Sequence, residues 1–131
     1  MAKLTRTNPP DVHKPFSNYS HVVTAEAVQR LVFCAGQVAA DADGNVLPPD
    51  DFDAQARMVM DNLGKALAAG GAAFSDVTKV TIYIVDPHDV AKARGILSSY
   101  FGAEPPASTL CVLRGLAHPG FLVEVEAIAA V

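Results

Sequence analysis

The closing stretch, residues 105–131, constrains the fold more than any other part of the chain. It reads PPASTLCVLRGLAHPGFLVEVEAIAAV, and only three of its residues are charged at neutral pH: Arg114, Glu124 and Glu126. Its pattern predicts one strand near residues 109–113, a turn around 118–120 and a second strand at 122–129. Because burying an ionised group is costly unless hydrogen bonds or a partner offset the loss of water, the two glutamates in this apolar setting point to a function.

Three further segments have the character of strands. The apolar run from Leu31 to Ala35 predicts a central strand. Residues 77–85, VTKVTIYIV, alternate between apolar and polar side chains, which predicts a strand buried on one side. Another strand is predicted near residues 21–27.

Two segments have the periodicity of helices. After the acidic pair Asp50 and Asp51, apolar residues recur at spacings of three and four as far as Leu67, and Gly70-Gly71 ends the run. A second helix is predicted from residue 86, where Asp-Pro-His-Asp supplies a cap and a first-turn proline, to Gly102.

The order of these elements predicts an α+β fold in a single domain, residues 1–131. About six strands form one mixed sheet, both helices pack on one face, and the other face is left for association. Half of the residues are apolar, which also favours an oligomer. Residues 1–15 contain three prolines and are predicted to form an extended arm without regular structure.

Composition argues against several classes of function. The net charge is −4, and no cluster of Lys or Arg is longer than two, so nucleic acid is a poor partner. No span of about 20 apolar residues is present to cross a membrane. Cys34 and Cys111 lie in apolar runs rather than at metal-ligand spacing, so the sequence predicts a cytoplasmic protein with reduced thiols and no metal or cofactor.

The chain resembles the Rid family, also called YjgF/YER057c/UK114, over nearly its whole length. The resemblance rests on five motifs: PFSNY near the start, CAGQV at 34–38, DNL at 61–63, DVTKVTIYI at 76–84 and VEVEAIA at 123–129. It implies a chorismate mutase-like fold and a homotrimer with clefts between subunits. It also implies hydrolysis of reactive enamine or imine intermediates, such as 2-aminoacrylate, to a 2-oxo acid and ammonia.

The resemblance assigns roles to particular residues. Glu124 matches the glutamate of the family's cleft and is the candidate catalytic residue. Phe16 matches the cleft aromatic residue and is followed by Ser17, while His88 stands where the family has an asparagine. Gly36 is a candidate to present backbone groups to a substrate, although a β-bulge would explain a glycine there equally well.

One position departs from the family pattern. Active deaminases carry an arginine two residues after the proline that opens the fifth strand, and this arginine grips the substrate carboxylate. Here that place is Ser108, whose neutral hydroxyl cannot supply the charge or the fork geometry of an arginine. The sequence therefore predicts weak or no activity on 2-aminoacrylate and a preference for another imine or enamine, such as an aminomuconate-type compound.

Two neighbouring residues bear on this departure. Arg114 either replaces the missing arginine, if the strand end bends toward the cleft, or is a surface residue. Cys111 lies one position beyond the family cysteine, and a shift of one residue turns a side chain to the other face of a strand.

Several alternatives stay open at this point. Glu124 and Glu126 could line a solvated rim, and His88 could simply be exposed. A trimer that binds a small metabolite without turnover is the alternative to an enzyme. Ribonuclease activity is disfavoured by the acidic balance and the lack of basic or aromatic tracts. Ser108 and Glu124 are expected to meet across one cleft.

Overall fold

The computed structural model describes all residues 1–131. Six strands and two helices follow one another along the chain. They are β1 (Lys3–Thr7), β2 (Val22–Glu26), β3 (Leu31–Gln37), α1 (Phe52–Ala69), β4 (Val77–Ile84), α2 (Val90–Ser98), β5 (Ala107–Val112) and β6 (Val123–Ala130). Short 3₁₀ turns at Phe74–Asp76 and Pro87–Asp89 lead into β4 and α2.

The strands form a mixed arrangement, as the sequence predicts. Four of them are hydrogen-bonded in the order β3-β6-β4-β5, with β4 and β5 parallel and the other pairs antiparallel. The remaining two, β1 and β2, pair with each other as an antiparallel ribbon. The prediction that residues 1–15 lack regular structure is wrong for β1, because Pro9, Pro10 and Pro15 all lie beyond the end of this strand.

Local signals place the helices. At α1, the Asp51 side chain accepts a hydrogen bond from the backbone N–H of Ala54 at 3.0 Å, and Gly70 is the C-terminal cap. At the second helical segment, Asp86 accepts from the N–H of His88 at 2.9 Å, so its cap serves the 3₁₀ turn that precedes α2. The regular part of α2 then ends at Ser98, four residues before the predicted end at Gly102.

The core lies between the helices and one face of the four-stranded sheet. Every second residue of β6 is buried against α1, starting at Val123 and Val125, and β4 contributes Val80, Ile82 and Ile84 from the same face. α1 packs on β6, β3 and α2. Both helices therefore cover one face, which confirms the predicted layering. Neither helix combines the length and apolar character that a membrane-spanning segment needs.

The other face of this sheet, called the open face below, has no helix on it. Phe33 and Leu31 of β3 are 70% and 52% exposed there, because they alternate with the buried Val32 and Cys34. Large exposed apolar side chains on a sheet face favour association with another chain.

Candidate functional site

A row of titratable side chains crosses the open face. In the sheet register, Tyr83 of β4 pairs with Glu124 of β6 on one side and with Cys111 of β5 on the other. Paired residues point to the same face of a sheet, so all three side chains lie on the open face. Together with Gly36 of β3, the row spans all four strands.

A cavity of about 330 Å³ lies along this row. Its walls come from β3, β4, β6 and the loop after β5: Gly36, Tyr83, Leu113, Leu116, Glu124 and Glu126. Two carboxylates and one phenol thus face two leucines. No set of three or more His, Cys, Asp or Glu side chains lies close enough together to hold a metal ion.

Gly36 allows the Glu124 carboxylate to lie directly on the backbone of β3. A Cβ atom at position 36 would lie 2.8 Å from Cδ of Glu124 and would collide with its Oε1. The pairing of β3 with β6 is also irregular between Cys34 and Gln37. The irregular pairing agrees with the β-bulge that was one explanation for this glycine, and the presentation of backbone groups to a substrate stays a prediction.

Tyr83 and Glu126 form a hydrogen-bonded pair at the same cavity. The Tyr83 hydroxyl donates to Oε1 of Glu126. This hydrogen bond is the main cause that raises the pKa of Tyr83, and loss of water and the negative charges of Glu126, Cys111 and Glu124 add to it. The phenol therefore stays protonated throughout the neutral range. Sequence analysis did not single out Tyr83, because only the register of β4 against β6 brings it beside the two glutamates.

Ser108 lies on the opposite face of the sheet from Glu124. It pairs with Val80, whose side chain is buried under the helices, and it lines a separate cavity of about 290 Å³ between β5, α2 and the loop that contains Ser17. Ser108 and Glu124 of one chain therefore do not meet, because the phase of β5 turns Ser108 to the helix side. The expectation that they meet across a cleft between subunits stays a prediction.

Thr109 and Cys111 are the β5 residues that face the Glu124 side. Thr109 pairs with Thr81, and its hydroxyl oxygen lies 2.7 Å from Nζ of Lys79. Cys111 pairs with Tyr83 whereas Leu110 pairs with the buried Ile82, so the shift of one residue turns the cysteine to the other face of the strand, as expected. Thr109 is neutral like Ser108, and the positive charge on this face at the start of β5 is the Lys79 ammonium group beside the Thr109 hydroxyl.

The other candidates lie away from the cavity within one chain. Arg114 is exposed, makes no ion pair with either glutamate and does not line the cavity. The side chain of His88 is 92% exposed, with Nδ1 2.9 Å from the Asp86 carboxylate. Phe16 is 72% exposed and stacks on His13, with ring centroids 4.4 Å apart. Of the residues named from sequence, the fold of one chain brings Gly36 and Glu124 to this cavity, and Ser17 and Ser108 to the cavity on the helix side.

Comparison with known proteins gives matches along nearly the whole chain. The family model described as Endoribonuclease L-PSP matches residues 10–131. A RutC family protein of Pyrococcus abyssi is 34% identical over 116 residues, which is 88% of each chain. The crystal structure of a Rid family protein of unknown function from Yersinia pestis is 32% identical, with a TM-score of 0.89 over 98% of each chain. A member of the YjgF/YER057c/UK114 family from Mycobacterium tuberculosis is 27% identical, with a TM-score of 0.69 over 98% of this chain and all of that one.

Proposed function

Because the chain belongs to the Rid family and has its chorismate mutase-like fold, we propose that it is a hydrolytic deaminase of an imine or enamine other than 2-aminoacrylate. One observation carries the proposal: the Glu124 carboxylate rests on the backbone of Gly36 at the edge of a cavity large enough for a small metabolite. A carboxylate held in this way can position a water molecule and exchange a proton with it.

The reaction needs only this carboxylate and water. An enamine first takes a proton from solvent at carbon and becomes a protonated imine. Glu124 then accepts a proton from water as the water oxygen bonds to the imine carbon, which gives a carbinolamine. Glu124 gives this proton to the carbinolamine nitrogen, and the C–N bond breaks with ammonia as the leaving group. The hydroxyl proton passes to Glu124 and from there to solvent, which leaves the carbonyl compound. One water is consumed, the proton taken up at carbon is returned, and the carboxylate ends as it began.

The charge of the cavity supports a substrate other than 2-aminoacrylate. Glu124 and Glu126 are its only charged lining residues, and Thr109 and Ser108 are both neutral. A substrate carboxylate would meet no guanidinium fork here. An aminomuconate-type compound, the candidate that follows from the resemblance, belongs in the same substrate panel as 2-aminoacrylate.

The proposed assembly is a homotrimer with clefts between subunits. The apolar open face, with Phe33 largely exposed, supports association of several chains. Phe16 and His88 project from one chain without contacting its own cavity, so a neighbouring subunit's cavity is the place where they would meet a substrate. A sedimentation mass of one chain at micromolar concentration would contradict this assembly.

The activity is tested with imines generated in place by an oxidase or a dehydratase, with ammonia release followed in time. The wild type is expected to accelerate hydrolysis of at least one imine or enamine, while Glu124→Gln loses about 10²- to 10⁴-fold of the rate, the usual contribution of general acid–base catalysis. Arg57→Gln, on the exposed side of α1, is the matched control and should keep full activity. Efficient turnover of 2-aminoacrylate that survives Glu124→Gln would refute the proposal.

Binding of a small metabolite without turnover is the alternative, and it is favoured by the neutral residues that stand where the family's arginine is expected. Saturable binding by the wild type with no acceleration of any imine in the panel would establish it. RNA cleavage is not proposed, because a cavity with two carboxylates repels phosphate groups. A cytoplasmic location is part of the proposal and follows from the reduced thiols that the sequence predicts.

A further inference from the structure

The Tyr83–Glu126 pair has a directional hydrogen bond that limits what can bind beside it. A phenol has one proton, and in this protein that proton is donated to Glu126. The Tyr83 oxygen is therefore left with lone pairs only, and the Glu126 carboxylate is an acceptor as well. A ligand group next to this pair must bring its own N–H or O–H.

The remaining walls of the cavity reinforce this restriction. Glu124 is a third acceptor, and Leu113 and Leu116 offer no hydrogen bond from their side chains. No Lys, Arg or His lines the cavity. The cation on the open face, Lys79, has its ammonium group 2.7 Å from the Thr109 hydroxyl, which lies on β5 outside the cavity.

Such a cavity distinguishes between two kinds of imine. A protonated imine carries a positive charge and an N–H, and both are attracted by acceptor groups and carboxylates. A carboxylate attached to the imine carbon would lie beside Glu124 or Glu126 and be repelled by like charge. Because Tyr83 is the cross-strand partner of Glu124 and both line the cavity, a nitrogen held at the phenol oxygen lies on the same face of the sheet as the Glu124 carboxylate.

We infer that Tyr83 is a specificity-determining residue, held by Glu126 as its positioning residue, and that it selects protonated imines with no carboxylate on the reacting carbon. This inference rests on the proposed imine hydrolysis and names its substrate class. The raised pKa of Tyr83 is consistent with it, since the phenol keeps the proton that fixes its orientation. An aminomuconate-type compound, which bears a carboxylate on the carbon attached to nitrogen, is then a poor substrate.

A matched pair of imines tests the inference. Phenylmethanimine, made from benzylamine by a flavin amine oxidase, lacks a carboxylate. 2-Imino-2-phenylacetate, made from phenylglycine by an amino-acid oxidase, differs only in carrying one. Semicarbazide traps each imine, and the fall in the initial rate of semicarbazone formation on adding the protein measures relative kcat/KM. The wild type is expected to favour phenylmethanimine by about tenfold or more, since like charges repel strongly in a partly desolvated site.

Substitutions of Tyr83 and Glu126 test whether this pair causes the preference for phenylmethanimine. Tyr83→Phe removes the acceptor and should lower kcat/KM for phenylmethanimine by about 10- to 100-fold, the usual effect of losing a hydrogen bond to a charged group. Its effect on 2-imino-2-phenylacetate should be small, so the ratio between the substrates collapses. Glu126→Gln should reduce the ratio too, because it removes a charge and the fixed direction of the phenol proton. Tyr100→Phe, on the helix side, is the matched control and should leave the ratio unchanged.

The outcomes separate this inference from the proposed function. If both imines are hydrolysed equally well, or if the ratio survives Tyr83→Phe in a protein that melts like the wild type, imine hydrolysis stands and the role of Tyr83 is refuted. A preference for 2-imino-2-phenylacetate would also refute it. If neither imine is hydrolysed faster than in buffer, but another substrate of the panel is hydrolysed faster, the inferred substrate class is wrong. If no substrate of the panel is hydrolysed faster than in buffer, the proposed function fails as well.

Discussion

The two faces of the four-stranded sheet use the same strands for different purposes. On the helix side, Val123 and Val125 of β6 are almost fully buried, whereas Glu124 and Glu126 of the same strand stay partly accessible on the open face. Alternation along one strand therefore separates a dry apolar core from an acidic cavity by a single residue step. The chain covers one face with its own helices and leaves the other uncovered, where the acidic cavity and the exposed apolar residues lie.

The largest expected contrast between the faces is in stability. Leu63→Ala removes a fully buried side chain between α1 and the sheet, and it should lower the free energy of unfolding by about 2–5 kcal/mol. Leu31→Ala makes the same change on the open face, where the side chain is half exposed, and should cost much less in a dissociated chain. Urea denaturation of both variants measures the difference, and equal losses would show that the open face is packed as tightly as the core.

Gly36→Ala tests the closest contact on the open face. The new methyl group collides with the Glu124 carboxylate, so either that side chain or β3 must move, at a cost of about 1–3 kcal/mol. Activity should fall with it, because Glu124 leaves its place. Gly95→Ala is the matched control, since its Cβ meets no atom within 4 Å and the change in a helix should stabilise by up to about 1 kcal/mol. Thermal melting and the imine assay report the two effects, and full activity of Gly36→Ala would show that the carboxylate is not held there.

An arginine introduced at Ser108 or at the adjacent Thr109 puts a positive charge on one face of the sheet or on the other, so the two variants test the faces separately. Ser108→Arg places a cation in the cavity on the helix side and should destabilise the protein by about 1–3 kcal/mol without helping a carboxylated substrate. Thr109→Arg places it on the face of Glu124 and should raise kcat/KM for 2-aminoacrylate, while it removes the hydrogen bond to the Lys79 ammonium group. If Ser108→Arg were the variant that gained this activity, the substrate carboxylate would bind in the helix-side cavity that Ser108 lines rather than on the open face.

The two cysteines give the smallest and most direct comparison. Cys34 is buried on the helix side, and burial raises the pKa of its thiol above the ordinary 9.0. Cys111 lies on the open face and is partly accessible. At neutral pH, iodoacetamide should therefore modify Cys111 first and Cys34 only after unfolding, and mass spectrometry identifies the modified residue.

The raised pKa of Cys34 also predicts a pH dependence of stability. As pH rises above 9.0, the Cys34 thiol ionises first in the unfolded chain, so its contribution to the free energy of unfolding is lost. Cys34→Ala should reduce this loss.

Periodicity and capping signals in the sequence predicted most of the fold. The alternation in residues 77–85 marks β4, the Asp51 cap and the Gly70 end mark α1, and both helices lie on one face as expected. β1 was missed because the three prolines of residues 1–15 predicted that this segment has no regular structure, although the five residues of β1 contain no proline. The family motifs then indicated the chorismate mutase-like fold, which the solved relatives share.

The candidate site was predicted only in part. Glu124 and Gly36 could be named from their motifs, but the sequence did not show that Ser108 faces the helix side, because a strand that starts after two prolines does not show its own phase. Tyr83 was not singled out at all. Its partner Glu126 is 43 residues away in the chain, and no local pattern connects them.

The sequence by itself determined which side chains alternate and therefore which could share a face, because the period of a strand is set by its backbone. Only the tertiary structure decided which of them are neighbours. The register of β4 against β6 sets Glu124 beside Tyr83 and brings Glu126 within hydrogen-bonding distance of the Tyr83 hydroxyl. The register of β4 against β5 puts Thr109, rather than Ser108, on the same face as these residues. Register depends on how separate strands fit together across the whole sheet, so it cannot be obtained from any one of them.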